Sequence, residues 1–536
     1  MTATIQTLLL LLVVLVVVAI LARRLNTAPS ILLVIAGIGF ALVPGLPQIE
    51  LAPELVLLGI LPPLIYSAGV AMSWREFRFN LRPITLLAFG CVIFTTCAVA
   101  VTVHWLLGIP LAVAFVLGAI VAPPDVVAPL AIAKRLGLPR RLLVVLEGEG
   151  LANDATALIL YRFAIAAVST GLFSLGQAAG TFAVIVVGEI GYGIAVGWLS
   201  LRLRRWARDA RVEITLSLMT PYVAFWAPEH LGGSGVLATV AAGLFVSWNG
   251  PLLIPAATRL QGIFFWDLIV YWLEGFVFLV TGLQARTLLE QGDTFLLRDL
   301  VLAVLITTAV VIIARFLWVF PAVYLPRWLS SSLARRDPSP HWQYAFVLAF
   351  VGIRGVVSLA AALAIPLTTA TGTPFPLRDL ILSITFGVII ITLVGQGLLL
   401  PSVVRWLGLS NDTIDERQRE HEAELAARAE ALALVQCRLD QRAADGQIPP
   451  EALATLRARH EYRVGRLPGN MADRPDTDFV AAELRMELIT AEREFIYRLL
   501  QEGRITDEGR RRIERELDLE EASVACKREG GVELPL

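Results

Sequence analysis

The chain has 536 residues, 56% of them hydrophobic, and a mean hydropathy of +0.70, which is too apolar for a soluble enzyme. Its net charge of −1 hides a division: up to Arg405, 25 Lys and Arg stand against 18 Asp and Glu, whereas from Trp406 onward 20 stand against 28. This predicts an apolar membrane domain over 1–405 and a solvated, acidic, helical tail over 406–536. Cys91 and Cys97 fall in one apolar run and Cys437 and Cys526 in the tail, so no disulfide framework is indicated.

Apolar runs recur along the first 405 residues, each able to cross a hydrocarbon core of about 30 Å. The fold class expected is an all-α polytopic membrane protein with spans near 5–22, 28–43, 52–71, 83–105, 111–133, 141–166, 178–201, 212–228, 232–247, 264–283, 299–325, 342–367 and 377–404. The first run has its charges, Arg23 and Arg24, after the apolar stretch and lacks a small-residue cleavage site, so it reads as a retained span. Loop charges alternate: Arg75, Arg78, Arg82, Lys134, Arg135, Arg140 and Arg141 crowd one side, and Arg286, Arg298 and Arg378 are all that the other side receives. The basic side is cytoplasmic by the positive-inside rule, which puts the N-terminus outside and the tail inside.

Within the fifth span, Pro123, Pro124 and Pro129 surround Asp125. Each proline removes a backbone donor, so the span should break near its middle, with Asp125 about 14 Å from the cytoplasmic end. Asp125 can cap the second half-helix, line an ion path, or do both. The sixth span carries Glu149, Asn153 and Asp154, the last about 20 Å into the bilayer. Glu149 and Asn153 are four apart and share a face, while Asp154 is turned about 100° from Asn153. One face can therefore make structural bonds while the next offers a carboxylate to water. The twelfth span places Arg354 between Gly352 and Gly355. A guanidinium does not discharge by losing a proton, so Arg354 needs carboxylates or carbonyls and reads as a fixed structural cation. Glu189, Glu213, Asp267 and Glu274 could cap helices, snorkel or line a vestibule, and Arg162 and Arg315 could pair with acids or reach an interface. No nucleotide-binding loop, zinc motif or nucleophile–base pair stands out, which disfavours an intramembrane enzyme, and nothing suggests nucleic-acid binding.

The runs APPDVVAP, GEGLANDATALILYRFA, GGSGVLATVAAGL and GIRGVVSLAAALAIP, in this order, resemble the bacterial sodium–proton antiporters of the monovalent cation:proton antiporter-1 family. The resemblance covers roughly residues 5–405, and the tail run GRITDEGRRRIERELDLEEA is similar to tails of bacterial members. It implies that Asp154 binds the transported cation or proton and that Asp125 completes the site. It further implies a supporting Glu149–Arg354 ion pair, and that Asn153 marks electroneutral exchange. The family fold has inverted repeats with two broken helices crossing at the midplane, moves in an elevator-like way, and forms homodimers. The transport bundle would comprise about 83–166 and 299–405, and the dimerisation scaffold about 1–82 and 212–283. Gly150 stands where the family often has a serine ligand, and Pro124 where threonine commonly precedes the crossover aspartate.

The function expected is therefore antiport of sodium, or lithium or potassium, against protons across the cell (inner) membrane, with no cofactor. A bare buried carboxylate is costly, so it carries a proton or a cation, and movement in both states gives exchange. A cation channel would also use midplane carboxylates, but without obligatory proton counterflow. A membrane sensor would act through the tail. There, Leu425, Leu432 and Leu439 repeat every seven residues, and Phe479, Leu484, Leu488, Phe495, Leu499 and Leu500 recur at helical spacing. This predicts short helices packed on each other or on a partner subunit.

Overall fold

The computed structural model describes residues 2–25, 27–43, 52–171, 174–286, 297–369, 372–409, 412–444, 449–465, 475–502, 504, 513 and 516–522. Cys526 and most of the 503–515 stretch lie outside them. The chain divides into two compact units, Met1–Thr413 and Ile414–Leu536.

The first unit begins with α1 (Thr2–Leu25), α2 (Pro29–Ala41) and, after a π-helical turn at Leu55–Ile60, α3 (Leu61–Ala71). Short α4 (Trp74–Phe79) and α5 (Leu81–Thr85) lead through a π-helical turn at Leu86–Cys91 into α6 (Val92–Leu107). Then come α7 (Leu111–Val121), α8 (Val127–Arg135), α9 (Arg140–Thr170), α10 (Leu175–Ala207), α11 (Ala210–His230), α12 (Val236–Leu253) and α13 (Ala256–Leu283). After α14 (Leu297–Leu329) and α15 (Ser331–Arg336) follow α16 (Trp342–Phe350), α17 (Val356–Leu363) and α18 (Arg378–Ile390). A third π-helical turn, Ile391–Gln396, joins α18 to α19 (Gly397–Leu407). Among the described residues, six helical stretches are long and apolar enough by length and composition to cross a membrane. Trp198 and Trp206 on α10 and Val13, Val16 and Val17 on α1 stay exposed, as an apolar outer face in contact with lipid tails requires.

Local chemistry explains several ends. Asp209 caps α11 by accepting from the N–H groups of Arg211 (2.9 Å) and Val212 (3.1 Å), supplying the acceptor that an exposed helix start lacks. Gly171 ends α9 in the left-handed region at φ 70°. The π-helical turns widen the helix and free carbonyls for side-chain donors. Trp318 Nε1 donates to Leu86 O (2.9 Å), and the Tyr222 hydroxyl donates to Gly59 O (2.9 Å).

Two packing groups emerge. In one, α10 and α3 pack on α12, α2 packs on α13, and α11 joins α10 and α12; in the other, α7 packs on α6 and α9, and α14 packs on α6, α16 and α18. The second group is tied at one end by Asp337, which accepts from Arg82 Nη2 (2.8 Å), Arg141 Nη2 (2.7 Å) and Arg327 Nη2 (2.8 Å). That single carboxylate joins α5, α9 and α14. Burial works to raise its proton affinity, but the hydrogen bond and charge of Arg141, with the charges of Arg327 and Arg82, prevail and hold Asp337 below the usual carboxylate range.

The second unit takes in α20 (Asp412–Ala444) from Ile414 onward, α21 (Pro450–Gly465) and α22 (Pro475–Gln501). Leu432 is buried and Leu425 and Leu439 are half-buried, so the heptad seam turns inward. Among the described side chains of α22 the buried positions are Ile489 and Ile496, seven apart, while Leu484, Leu488 and Phe495 are exposed and Leu499 is half-buried. Of the expected stripe, Phe479 and Leu500 lie outside the described side chains, and the exposed members show that the inward face is rotated from it. Arg485 pairs with Glu520, and Arg493 with Asp518 and Glu521, joining α22 to the 516–522 stretch.

Candidate functional site: two interlocked helix interruptions and an acidic cavity

The helix stops at Val121 and resumes at Val127, and a second helix stops at Phe350 and resumes at Val356. Proline supplies the local reason in the first case, and a Gly–Ile–Arg–Gly run in the second. The two irregular stretches satisfy each other. The Asp125 N–H donates to Ile353 O (2.7 Å). Arg354 Nε donates to Val121 O (2.7 Å), its Nη2 to Ala122 O (3.1 Å), and its Nη1 to Gly352 O. The Arg354 N–H itself donates to Thr392 Oγ1 (3.0 Å), on the π-helical turn before α19.

Each half-helix end has a charge of suitable sign. Carbonyls at a helix C-terminus carry partial negative charge. Arg354 meets those ending α7, and Arg315 meets the end of α16 by donating to Leu348 O from Nε (3.2 Å) and Nη2 (3.0 Å). N-terminal N–H groups carry partial positive charge, and Asp125 lies among them. Its Oδ1 accepts from the Val127 N–H at the start of α8 (3.0 Å). Its Oδ2 lies against Gly355, at the start of α17, so closely that a Cβ on Gly355 would run into the carboxylate. Only glycine leaves that space.

The ion pair supporting the site differs from the expected one. Glu149 pairs with Arg315, from Nη1 at 2.5 Å and Nη2 at 2.8 Å, and not with Arg354. Glu149 is 0% exposed and Arg315 1%. Both arginines are buried at this depth, and the choice follows from packing: α14 lies against α16 and presents Arg315 toward α9, whereas backbone carbonyls surround Arg354. Asn153 donates from Nδ2 to Pro124 O (2.6 Å), and its Oδ1 accepts from the Asp154 N–H (2.7 Å). Asn153 therefore holds the first interruption against α9, where an N–H-bearing group is needed to meet a carbonyl that the break leaves free.

Asp154 is placed otherwise. Its carboxylate has no hydrogen bond or ion pair among the described residues, and it lines a cavity of ≈ 860 Å³ together with Asp125, Pro123, Pro124, Gly150 and Ser358. Asp125 and Asp154 are close enough to interact electrostatically. A Cβ on Gly150 would run into the Val126 side chain. The serine hydroxyl that the resemblance leads one to look for is thus replaced by a valine packed in its space. The far wall brings three of the acids for which the sequence left capping, snorkelling and a vestibule open: Glu213 from α11, and Asp267 and Glu274 from α13. Glu147, Lys134, Arg204 and Arg259 also line the cavity, and Lys134 Nζ pairs with Glu147 Oε1 (2.7 Å). Glu189, by contrast, caps α12 by accepting from the N–H groups of Ser234, Gly235 and Leu237, and Arg162 pairs with Glu229.

An all-helical, multi-pass membrane chain whose acidic cavity ends at two interlocked helix interruptions has the build of a secondary ion transporter. The chain belongs to the sodium/hydrogen exchanger family, whose transmembrane region it matches over residues 10–406. It is 35% identical over 515 residues to an uncharacterized Na⁺/H⁺ exchanger of Mycobacterium tuberculosis, covering 94% of this chain and 93% of that one. It is 37% identical to a sodium, potassium, lithium and rubidium/H⁺ antiporter of Bacillus subtilis, over 66% of this chain and 54% of the relative. The solved structure of the sodium proton antiporter MjNhaP1 from Methanocaldococcus jannaschii shares the fold with a TM-score of 0.57 at 19% identity, covering 76% of this chain and 98% of that one.

Proposed function

We propose that this cation/proton antiporter carries its ions on Asp154, with Asp125 completing the site and the proton and cation competing for the same oxygens. The observation that carries the reading is the Asp154 carboxylate: alone among the acids of α9, it faces the cavity without an ion pair or hydrogen bond to its carboxylate. Glu147 is held by Lys134 and Glu149 by Arg315. A bare carboxylate in such a place attracts whichever small cation reaches it, and carboxylate oxygens suit a hard ion.

Sodium is the first candidate cation, with lithium and potassium next. The breadth printed in the name of the Bacillus subtilis relative supports testing all three. Exchange is electroneutral in this reading, because the residue before Asp154 is Asn153 and not a second acid. The unit carrying Asp125, Asp154 and Arg354 moves against a homodimeric scaffold in an elevator-like manner. The tail from residue 406 lies in the cytoplasm of a cell whose inner membrane holds residues 1–405. Purified protein in vesicles, with an internal pH dye, tests the core of this. Asp154→Asn should reduce cation-driven proton flux by about 100-fold or more while the protein elutes as a folded species. Full flux in that variant overturns the assignment. Clamping the membrane potential then tests electroneutrality.

A further inference from the structure

The cavity wall opposite Asp154 has a feature that exchange at Asp154 does not use. Glu213 lies in the first turn of α11, is 2% exposed, and lines the cavity, yet its buried Oε2 has no hydrogen-bond partner among the described residues. A buried carboxylate oxygen left without a partner is costly unless something small occupies the space beside it. The surroundings are built to hold α11 and α13 in fixed register. Trp266 Nε1 donates to Ser217 Oγ (3.0 Å), one turn beyond Glu213, and Trp266 also packs against Tyr66 with ring centroids 5.5 Å apart. Asp267 follows Trp266 directly and also lines the cavity. Two turns further, Glu274 lines the same wall, has no ion pair or hydrogen bond among the described residues, and interacts electrostatically with Asp125 and Lys134. Residues seven apart share a helix face and are separated by about 10 Å along the axis. Asp267 and Glu274 therefore mark two levels of one wall, and Asp125, which acts on both Glu274 and Asp154, marks the next.

We infer that the α11–α13 wall forms a second site for a monovalent cation, with Glu213 as its buried anchor and Asp267 and Glu274 as the carboxylates leading from it to Asp125. The inference rests on Asp154 as the carrier but concerns a different place, where the ion waits before exchange. Arg204, from α10, lines the same cavity: its guanidinium is buried, with Nη2 donating to the Tyr66 hydroxyl and Nε without a partner among the described residues. The alternative is structural, a water bridging Glu213 to Arg204.

Binding of radioactive sodium to the purified, full-length protein separates these. In Asp154→Asn, which no longer exchanges, sodium binding should persist at the second site, and adding Glu213→Gln should remove it. Loss of all binding in Asp154→Asn alone overturns the second site, whereas full exchange by Asp154→Asn overturns the carrier reading instead. In vesicles, Glu213→Gln should raise the sodium KM about tenfold from the side on which the cavity opens, and leave kcat unchanged. Glu213→Asp should restore much of it. If Glu213→Gln does not fold, Asp267→Asn, at an exposed position, and Glu274→Gln provide the same readout. The shift should survive added choline chloride, which screens long-range fields but does not fill a sodium site. A shift that disappears in choline chloride, or a kcat loss with KM unchanged, overturns the proposal.

Discussion

At residues 122–126 the interrupted helix turns an acid toward the cavity, while at 351–355 the equivalent stretch turns a guanidinium into protein. Asp125 receives one N–H bond, and its other oxygen rests against Gly355. Arg354 directs its donors to three carbonyls, Val121, Ala122 and Gly352, and is 1% exposed. The difference teaches which charge is fixed. Carbonyls at two half-helix ends demand a permanent cation that cannot lose its proton, which arginine supplies. The N-terminal ends hold an acid, which in the proposed mechanism completes the ion site. In that reading one interruption is scaffold and the other takes part in exchange, although both use the same backbone device.

The comparison is tested most severely at the ion pair behind it. Glu149→Gln leaves Arg315 buried without its counter-charge, and should destabilise the protein by about 3–5 kcal/mol, read as a lowered midpoint in a thermal melt in detergent. Arg354→Ala leaves three carbonyls unpaired, at about 1–3 kcal/mol for each, so its cost should be comparable although no buried acid loses its partner. A melt left unchanged by Arg354→Ala would show that those carbonyls are met by other donors. Gly355→Ala places a methyl against the Asp125 carboxylate. It should lower exchange about tenfold with an overpacking cost of about 1–3 kcal/mol, and unchanged flux would show that the contact between the interruptions is slack.

The smallest effect belongs to Asp337, at the end of the bundle. Its folded-state proton affinity is lowered, so the stability it contributes is present above the ordinary carboxylate pKa of about 3.9 and is lost as pH falls through the lower folded value. Asp337→Asn should therefore cost about 1 kcal/mol or less at neutral pH. The difference from the unsubstituted protein should shrink only below about pH 4. A difference that shrinks already between pH 5 and 7 would place the titrating group elsewhere.

Much of this was written in residue order. The prolines around Asp125 carry the first interruption in the sequence itself, because a missing N–H cannot be restored by any packing. The position of Asp154 one residue past Asn153 separates a bonded face from a free one by helical geometry alone. Composition divided membrane unit from tail, since apolar runs and charged heptads cannot serve the same solvent. Partner choice was not written there. The sequence left Arg315 open to any acid and Arg354 in need of carboxylates or carbonyls, and only the packing of α14 on α16 gave Glu149 to Arg315 and left Arg354 to carbonyls. Gly150 read as a missing ligand until Val126 was found in the space. On α22, Leu488 and Ile489 are adjacent in sequence, and only the tertiary packing decides that Ile489 is the buried one. Glu213 stood on one span and Asp267 and Glu274 on another, and only the packing of α11 beside α13 brought them onto one wall. Local sequence determines where a chain breaks and which way a side chain leaves its helix. Which neighbour that side chain then meets is a property of helices brought together from distant parts of the chain, and no spacing within one of them encodes it.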